Sequence, residues 1–375
     1  MRIGVPKEVK DHEFRVGLTP ESVGKLTNLG HSLCVQADCG VESGFSNASY
    51  LEAGATLAFS AEEIFATSDL IIKVKEPQPS ECRLLRPDQV LCAFLHLAPD
   101  PNQAEALLAS GCIAIAYETV TDAQGKLPLL TPMSEVAGRL SVQLGAHYLE
   151  RIAGGAGVLL GGITGVLPAK VVILGGGSAG TQAVQVALGM GAEVVVIDKS
   201  SERLKILQQL FESKITTKLA DPKNLAFDIK TADLVIGAAL VAGAVAPKLI
   251  TRAMVREMRA RSVVVDISID QGGCFETSHP TTHSNPTYVE EGVIHYCVTN
   301  MPAGVPRTAS IALNHASLPF ITAVANKGYR KACLEDPHLL QGLNLYKGCV
   351  THPAVALALH KDFVRAEAAL TEKFS

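Results

Sequence analysis

The sequence predicts an α/β protein with two Rossmann-like, doubly wound domains. Residues 170–198 read as strand, glycine turn, helix and strand, and the first 128 residues alternate short apolar strands with helices. Such alternation is typical of parallel sheets covered by helices on both faces. At 375 residues, 47% of them hydrophobic, the chain is long enough to divide into two domains with separate cores.

The segment 170–198 is the most informative part of the chain. A β-branched run ends in glycines, and apolar residues then recur at helical spacing from 179 to 188. The turn has the spacing G-x-G-x-x-G, formed by Gly175, Gly177 and Gly180. This spacing allows a sharp bend, close approach of a pyrophosphate, and tight packing of helix on strand. Phosphates would lie at the helix N-terminus, beside Ser178 and Ala179, where N–H groups without intrahelical partners attract anions.

Asp198 ends the second strand of this βαβ unit. A carboxylate at that position can accept hydrogen bonds from both hydroxyls of an adenosine ribose and would repel a 2′-phosphate. The sequence therefore predicts a site for NAD rather than NADP. The alternative is a purely structural βαβ unit, because glycine clusters also occur in ordinary turns.

Composition and charge argue against several classes of protein. The formal net charge of −4 provides no broad basic field, so neither nucleic acid nor an anionic membrane is an expected partner. No stretch approaches the roughly 18 uninterrupted apolar residues of a membrane-spanning helix. Residues 1–8 carry charges where a signal peptide needs its apolar core, so we expect a cytoplasmic protein.

Neither disulfides nor a metal site is expected. The nine cysteines include no C-x-x-C pair, and many lie in apolar runs, which is typical of reduced, buried thiols. His279 and His283 have the spacing H-x-x-x-H, but no helix and no third ligand support metal binding there.

Three candidate site residues lie in the first 128 residues. Arg15 is in a charged loop before a helix, where an arginine is usually a solvated surface residue. Lys75 would project from the carboxyl end of a strand at 68–76, on the same face as Lys73. Ligands bind at that edge of open α/β sheets, although a lysine there could equally extend into solvent. His96 lies near the end of the next apolar strand, where a lone histidine is more often a hydrogen-bonded core residue.

Later strands carry further polar positions. The exit of a strand beginning at Asp233, with Ala239 and Leu240, could lie along the cofactor. Another apolar strand carries Asp266 and Asp270 at its carboxyl end, as possible functional positions. Carboxylates are seldom left unpaired near a core.

Helix signals frame these strands. Thr19, followed by Pro20, is expected to cap one helix, and Thr131 is expected to cap another that runs to about residue 152. A helix at 308–326 is expected to be interrupted by Pro319. The rest of the chain, including 361–373, reads as helices that cover one domain.

Several motifs together resemble the alanine dehydrogenase/pyridine nucleotide transhydrogenase family. Residues Gly4–Glu8 and His12–Pro20 are similar to its first signature, and Leu174–Gly180 with Gly189–Ala192 is similar to its second. The likeness continues through three shorter segments, Leu95–Ala98, Thr131–Glu135 and Asn300–Arg307. It therefore covers nearly the entire chain.

The resemblance implies a substrate domain made from residues 1–128 and 307–375. It implies a NAD domain at 129–306, inserted into the substrate domain and joined to it by long helices. It also implies the reversible oxidative deamination of L-alanine to pyruvate and ammonium, usually in a homohexamer.

The resemblance also assigns roles to residues. It implies that Arg15 binds the substrate carboxylate, that Lys75 binds substrate, and that His96 and Asp270 are catalytic. Residues expected to line substrate or nicotinamide are Glu118, Met133, Ser134, Asn300 and Met301. Further expected cofactor contacts are Arg203, Ala239, Leu240 and Ile267. One departure is Phe94, where the family often has tyrosine, so a hydrogen bond behind the site could be altered.

These residue types suit the chemistry. A carboxylate requires a cationic clamp, which the planar guanidinium of Arg15 offers, and Lys75 can add charge. Loss of hydride from Cα gives an iminium that water attacks, so protons must move, and the imidazole of His96 can carry them near neutral pH. Asp270 could orient the water and stabilise the cationic iminium.

Three other functions remain open. The first is a saccharopine dehydrogenase, and the second is the nucleotide-binding subunit of a proton-translocating transhydrogenase. The latter would exchange hydride between nucleotides and would not require Lys75, His96 and Asp270 around a substrate. The third is a catalytically silent NAD-binding protein that keeps the fold, which reduction of NAD on addition of L-alanine would exclude.

Overall fold

The structure, a computed structural model, describes residues 1–239 and 246–371. The chain forms two units, Met1–Met133 with Val305–Ser375 and Ser134–Gly304, so the second is inserted into the first. The resemblance implies boundaries after residues 128 and 306. The first unit extends further, to Met133, because Leu129 and Met133 belong to its hydrophobic core.

The first segment of the chain alternates strands and helices as expected. In order, these are β1 (Arg2–Val5), α1 (Pro20–Asn28), β2 (Ser32–Gln36), α2 (Asn47–Glu52), β3 (Thr56–Ala58), α3 (Ala61–Thr67), β4 (Leu70–Ile72), α4 (Pro79–Cys82), β5 (Val90–Ala93), α5 (Pro101–Ser110), β6 (Ile113–Ala116) and α6 (Thr131–Leu149). A 3₁₀ turn at Tyr117–Thr119 follows β6. The long helix α6 begins at the end of the first unit and continues in the second.

The second unit continues the same alternation. Its elements are β7 (Lys170–Leu174), α7 (Ser178–Gly189), β8 (Glu193–Asp198), α8 (Ser201–Leu210), β9 (Thr216–Leu219), α9 (Pro222–Thr231), β10 (Leu234–Gly237), α10 (Arg252–Arg256), β11 (Val263–Asp266), β12 (Thr287–Glu290) and β13 (Val293–Tyr296). A 3₁₀ turn at Ile267–Gln271 follows β11, and another at Met301–Gly304 ends the unit.

The last segment returns to the first unit. It consists of α11 (Pro306–Lys327), α12 (Tyr329–Glu335), α13 (Pro337–Leu340), β14 (Leu343–Tyr346), β15 (Cys349–Val350), α14 (Pro353–Leu359) and α15 (Ala366–Thr371).

The two sheets share a doubly wound order. The first runs β15-β14-β6-β5-β4-β1-β2-β3, and the second runs β12-β13-β11-β10-β7-β8-β9. In each, the strands are parallel except at one end, where β14 and β15 or β12 pair antiparallel with their neighbours. The order reverses between β1 and β4 in the first sheet and between β7 and β10 in the second, which are the positions where such sheets bind ligands. The predicted fold class is confirmed.

Two hydrophobic cores cover the faces of the first sheet. Along β5, Val90 and Cys92 face one core, and Leu91 and Ala93 face the other. Because successive side chains point to opposite faces, a strand buried on both sides reads as a continuous apolar run. This is why the strands could be recognised from sequence without alternating polarity.

Several strands end earlier than the sequence predicts. β4 ends at Ile72, so Lys73 and Lys75 follow the strand instead of lying on it. Likewise β5 ends at Ala93, before His96, and β11 ends at Asp266, before Asp270. The apolar runs continue beyond β4 and β5, where Val74, Phe94 and Leu95 are buried outside the strands.

The C-terminal segment differs most from expectation. β14 and β15 extend the first sheet, although the sequence predicts helices in this region. α11 runs unbroken through Pro319, because this residue lies on the exposed side of the helix, where the carbonyl group that loses its partner can bind water. Residues 361–365 are not helical, and residues 372–373 of the predicted helix lie outside the described residues.

Local signals account for most helix starts. Thr19 caps α1 by accepting the N–H of Ser22, with Pro20 in the first turn, as predicted. Thr131, by contrast, is the first residue of α6 and not its cap, and its hydroxyl donates to the carbonyl of Leu127. Across residues 1–239 and 246–371, no helix has the length and apolar character needed to cross a membrane.

Candidate active site

The predicted substrate-binding and catalytic residues of the first unit lie at the carboxyl edge of its sheet. β1, β4, β5 and β6 are parallel neighbours, so their carboxyl ends lie along one edge. Arg15 follows β1, Lys75 follows β4, His96 follows β5 and Glu118 follows β6. β1 and β4 flank the point where the strand order reverses, which is the usual position of a ligand. The structure therefore brings these four residues to the same edge of the first unit.

Arg15 is buried, with 2% of its surface exposed. Its Nε and one terminal nitrogen donate to the carboxylate of Glu13 at 2.7 and 2.5 Å, and its backbone N–H donates to the same group at 3.1 Å. The other terminal nitrogen lies 3.2 Å from Sδ of Met133. Glu13 therefore fixes both the main chain and the guanidinium, because a two-point contact allows one orientation. The loop that reads as solvated surface in the sequence holds a buried ion pair.

Lys75 is also well covered, with 9% of its surface exposed. Its Nζ lies 3.4 Å from Oε2 of Glu76, and the other oxygen of Glu76 accepts from Lys10. Burial opposes ionisation of Glu76, but the two ammonium groups outweigh it and hold the pKa of Glu76 below its ordinary value. The lysine therefore does not extend into solvent but lies within a local charge cluster.

His96 adopts a left-handed backbone conformation, with φ of 48°. Its N–H donates to Oε1 of Glu118 at 2.6 Å, and the N–H of Leu95 donates to both oxygens of Glu118 at 3.1 and 3.2 Å. The left-handed region costs a residue other than glycine about 1–2 kcal/mol, which the bonds to Glu118 help to offset. The side chain of His96 is exposed, and Glu118 binds the backbone N–H groups of Leu95 and His96.

Phe94 is buried between two rings. It stacks on His96 with centroids 6.1 Å apart and planes 8° from parallel, and it meets Tyr117 edge-on at 5.5 Å. The buried hydroxyl of Tyr117 has no hydrogen-bond partner among the described residues, and burial raises the pKa of Tyr117 well above its ordinary value. Phe94 thus supports the imidazole through its ring and supplies no polar group to this region.

The glycine turn of the second unit lies at the carboxyl end of β7, beside the reversal of strand order. Gly175 has φ of 99°, and a Cβ at Gly180 would collide with the carbonyl oxygen of Gly175, so α7 packs directly on the turn. A Cβ at Gly177 would meet no described atom within 4 Å. Gly177 is also the N-cap of α7, and no side chain caps its first N–H groups. An open backbone at an uncapped helix N-terminus fits a phosphate.

Asp198 and Arg203 both contact this turn. The carboxylate of Asp198 accepts the N–H groups of Gly176 and Ser200 at 2.7 and 2.8 Å. Arg203 donates to the carbonyl of Gly176 and to the hydroxyl of Thr181, both at 2.6 Å. Each carboxylate oxygen has a second lone pair, so Asp198 retains the capacity to accept from a ribose hydroxyl.

Asp270 and Asn300 follow the neighbouring strands β11 and β13. Asp270 is exposed in its 3₁₀ turn, and its Oδ1 accepts the N–H of Asn300 at 3.3 Å. Asn300 has φ of 60°, and the next residue, Met301, is buried. These three predicted residues therefore lie together at the carboxyl edge of the second sheet.

The other predicted cofactor contacts are spread around the same edge and the first turn of α6. Ala239 leaves β10, and its carbonyl accepts the hydroxyl of Ser268 at 2.7 Å, beside Ile267. Met133 and Ser134 lie in the first turn of α6, the former buried and the latter half-buried. Leu240 lies outside the described residues.

Asp266, one of the two carboxylates considered at the end of this strand, has a structural role. It is buried and accepts the N–H groups of Ser268 and Cys274 at 3.1 and 2.8 Å and the hydroxyl of Ser278 at 2.6 Å. Burial raises the pKa of Asp266, although these bonds oppose the shift. The side chain organises the chain that leaves β11 and leaves Asp270 as the candidate for chemistry.

The two histidines with metal-like spacing make separate contacts. The ring of His279 stacks on Tyr288 with centroids 3.6 Å apart, and Nε2 of His283 lies 3.4 Å from the carbonyl of Asn300. Within residues 1–239 and 246–371, no three His, Cys, Asp or Glu side chains are grouped to hold a metal ion.

Known proteins match both parts of the chain. The model of the alanine dehydrogenase/PNT N-terminal domain matches residues 4–137, and that of the C-terminal domain matches residues 141–353. The chain belongs to the alanine dehydrogenase/PNT family. An alanine dehydrogenase of Halomonas elongata is 50% identical over 366 residues, which are 98% of this chain and 99% of that protein.

Solved members of the family superpose over most of the chain. An L-alanine dehydrogenase superposes with a TM-score of 0.93 at 48% identity, covering 96% of this chain and 99% of the other. A transhydrogenase from Sinorhizobium meliloti superposes less closely, with a TM-score of 0.81 at 26% identity, covering 94% of this chain and 100% of the other.

Four buried charged residues in the first unit were not predicted from the sequence. They are Glu8, Glu13, Lys73 and Glu81, none more than 7% exposed. Two signals were present in the sequence. Glu8 and Glu13 lie within the N-terminal motifs, and Lys73 interrupts an apolar run, where a charge must find a partner.

Proposed function

We propose that this chain is an NAD-dependent L-alanine dehydrogenase, which converts L-alanine and water to pyruvate and ammonium and catalyses the reverse reaction. The observation that carries the proposal is the presence of Arg15, Lys75 and His96 on one edge of the first sheet. A small amino acid offers a carboxylate for the two cations and exchangeable protons for the imidazole. The relatives named alanine dehydrogenase, 48–50% identical to this chain, support the same reaction.

The substrate carboxylate binds to Arg15 and Lys75. Because Glu13 already fixes the guanidinium, Arg15 loses little conformational freedom when a carboxylate arrives. Lys75 adds a second positive charge and can exchange its contact with Glu76 for one with the substrate. Two cations from separate strand ends fix the orientation of Cα.

The second unit would hold NAD. The pyrophosphate would lie against Gly177 and the N–H groups of Ser178 and Ala179, and Asp198 would accept hydrogen bonds from the ribose. The nicotinamide would supply the acceptor for the hydride that leaves Cα of the substrate. The protein must align the two reactants and exclude bulk water, which would compete for the charged groups.

Proton transfers accompany and follow the loss of hydride. The substrate ammonium first gives up a proton, so that hydride can leave Cα and an iminium forms. Water attacks the iminium carbon and gives up a proton to His96, which returns it to the nitrogen. The C–N bond then breaks as the hydroxyl group loses its proton and becomes the carbonyl, and the released ammonia takes up a proton to give ammonium. His96 suits both transfers because an imidazole ordinarily titrates near neutral pH. The carboxylate of Asp270 stabilises the cationic iminium and orients the water.

Formation of NADH on addition of L-alanine tests the proposal. Glycine and L-serine should react more slowly, although a hydrophobic pocket discriminates by only about 10- to 200-fold per methylene group. The rival transhydrogenase activity is tested without amino acid, by hydride exchange between NADH and an analogue of NAD. Binding of NAD without any reduction by L-alanine would contradict the proposal.

We further propose a homohexamer. Apolar residues are exposed along 152–167, and the most exposed are Ile152, Leu159, Ile163, Val166 and Leu167. Such concentrated apolar surface is typical of an interface. Leu167→Asp should lower the mass measured by light scattering, whereas Phe59→Asp, at an equally exposed position of the first unit, should not. A hexamer unaffected by Leu167→Asp would place the interface elsewhere.

We also propose a cytoplasmic location. All nine cysteines are free thiols, and seven of them are buried. Unpaired cysteines in such number suit a reducing compartment. Cell fractionation, followed by the alanine-dependent activity, tests this location.

A further inference from the structure

A buried ammonium joins the segments around Lys75. Lys73 is fully buried, and its Nζ donates to Glu8 at 2.9 Å and to Glu81 at 2.8 Å. Glu8 and Glu81 are buried as well, with 7% and 2% of their surfaces exposed. One cation therefore holds two carboxylates that come from different parts of the chain.

Glu8 also binds the backbone that carries Lys75. Its Oε1 accepts the N–H of Val74 at 2.7 Å and that of Lys75 at 3.4 Å, while its Oε2 accepts from Lys73. On the opposite side, the carbonyl of Val74 accepts the N–H of Phe94 at 3.0 Å, so pairing toward β5 continues. β1 has ended at Val5, and the carboxylate of Glu8 supplies the acceptor that this strand no longer provides.

Glu81 fixes the other end of the same segment. Its Oε2 accepts the N–H of Gln78, the N-cap of α4, at 2.9 Å, while its Oε1 accepts from Lys73. The chain from 73 to 78 is thus held at both ends by carboxylates that share one ammonium. Lys75 lies in the middle of this closed segment.

The charges of the cluster affect each other's ionisation. Burial raises the pKa of Glu8, the charge of Lys73 opposes that shift, and the charges of Glu13 and Glu81 add to it. Burial would lower the pKa of Lys73, but the two glutamates outweigh it, and the pKa is raised. Lys73 therefore remains an ammonium and allows a carboxylate to be buried beside the backbone of Lys75.

We propose that Glu8 is a positioning residue for Lys75, which holds the backbone at 74–75 so that the ammonium of Lys75 meets the substrate carboxylate. This inference rests on the proposed function, in which Lys75 binds the substrate. Glu8 itself does not touch the substrate. Its effect on the reaction passes through the position of Lys75.

A similar cluster in the second unit provides a control. Asp228 is fully buried and accepts from Lys170 and Lys218, each at 2.8 Å. Lys170 is the first residue of β7, so this cluster lies at the end of the strand opposite to the glycine turn. Asp228 therefore shares the burial and charge of Glu8 but binds no predicted site residue.

A double-mutant cycle tests the proposal in the full-length enzyme. Glu8→Gln keeps the size of the side chain and weakens its hold on Val74 and Lys75, and it is made in the wild type and in Lys75→Gln. In the wild type we expect kcat/KM for L-alanine to fall about 10-fold, mainly through KM, because small displacements of a binding group are costly. In the Lys75→Gln background the further loss should be less than about twofold, since coupled residues are not additive. Asp228→Asn should leave kcat/KM within about twofold of the wild type.

The outcomes separate the inference from the proposed function. Equal losses in the two backgrounds would show that Glu8 does not act through Lys75 and would overturn the inference alone. An unchanged kcat/KM in Lys75→Gln itself would remove Lys75 from substrate binding, and the proposed site would fail with it. Affinity for NAD and the melting temperature show whether each variant is folded. If Glu8→Gln is not folded, Glu8→Asp replaces it in the cycle, with the same criteria.

Discussion

A methyl group at Gly177 is expected to weaken NAD binding without disturbing the fold. Gly177 has φ of −66° and ψ of −162°, a conformation open to alanine, and its Cβ would meet no described atom within 4 Å. Gly177→Ala should therefore leave stability unchanged or raise it by up to about 1 kcal/mol, because alanine restricts the unfolded chain. The methyl group would instead fill the space in which the pyrophosphate is proposed to bind.

The loss of affinity follows from the hydrogen bonds at the helix N-terminus. If the pyrophosphate retreats by the thickness of a methyl group, at least one N–H bond to a charged oxygen is lost, worth about 1.5–3 kcal/mol. This corresponds to an increase of about 10- to 150-fold in the Kd for NAD. Calorimetric titration with NAD measures it, and urea unfolding measures stability.

Gly180→Ala is the matched comparison. Its Cβ would collide with the carbonyl oxygen of Gly175, so we expect a loss of about 1–3 kcal/mol in the free energy of unfolding. The two variants should therefore differ in what they change. Gly177→Ala should mainly weaken NAD binding, and Gly180→Ala should mainly lower the free energy of unfolding. A folded Gly177→Ala variant that binds NAD within twofold of the wild type would refute the placement of the pyrophosphate.

Three further predictions concern catalysis, cofactor choice and pH. His96→Ala should lower kcat at least about 100-fold while NAD affinity stays nearly unchanged, and a variant that keeps most of its turnover would remove His96 from the mechanism. Asp198→Ala should reduce the preference for NAD over NADP, measured as the ratio of their kcat/KM values. Burial lowers the pKa of His295 below its ordinary value of 6.5, so the unfolded chain takes up the proton first and stability falls below about pH 6.5. Urea unfolding between about pH 7 and pH 5 should show a shallower decline in His295→Gln.

The parts of the fold that the sequence predicts are those set by local rules. The glycine turn is recognisable because local backbone geometry requires glycine at particular positions. Gly175 has a positive φ, and Gly180 leaves no room for a Cβ. The parallel strands are recognisable because burial on both faces demands continuous apolar runs. The candidate residues Lys75 and His96 are found because they interrupt such runs near their ends.

The parts that the sequence does not predict depend on distant partners. Lys73 interrupts an apolar run and therefore needs a partner, but that partner, Glu8, lies 65 positions away in the chain, so no short window of sequence identifies it. The strand β14 forms because β6 offers an unpaired edge, a property of the assembled sheet. Pro319 breaks no helix because the fold turns it to the exposed side of α11.

Three proposed site residues of the first unit, Arg15, Lys75 and His96, share one further feature, which explains why they lie beyond the strand ends. Each donates its own backbone N–H to a carboxylate: Arg15 to Glu13 at 3.1 Å, Lys75 to Glu8 at 3.4 Å and His96 to Glu118 at 2.6 Å. Within a strand that N–H would bond to the neighbouring strand, and the side chain would point into a face covered by helices. Beyond the strand end the side chain can turn toward a ligand, but the N–H needs a new acceptor. A carboxylate supplies that acceptor and also lowers the repulsion between a guanidinium and an ammonium gathered on one edge, which a neutral acceptor could not do.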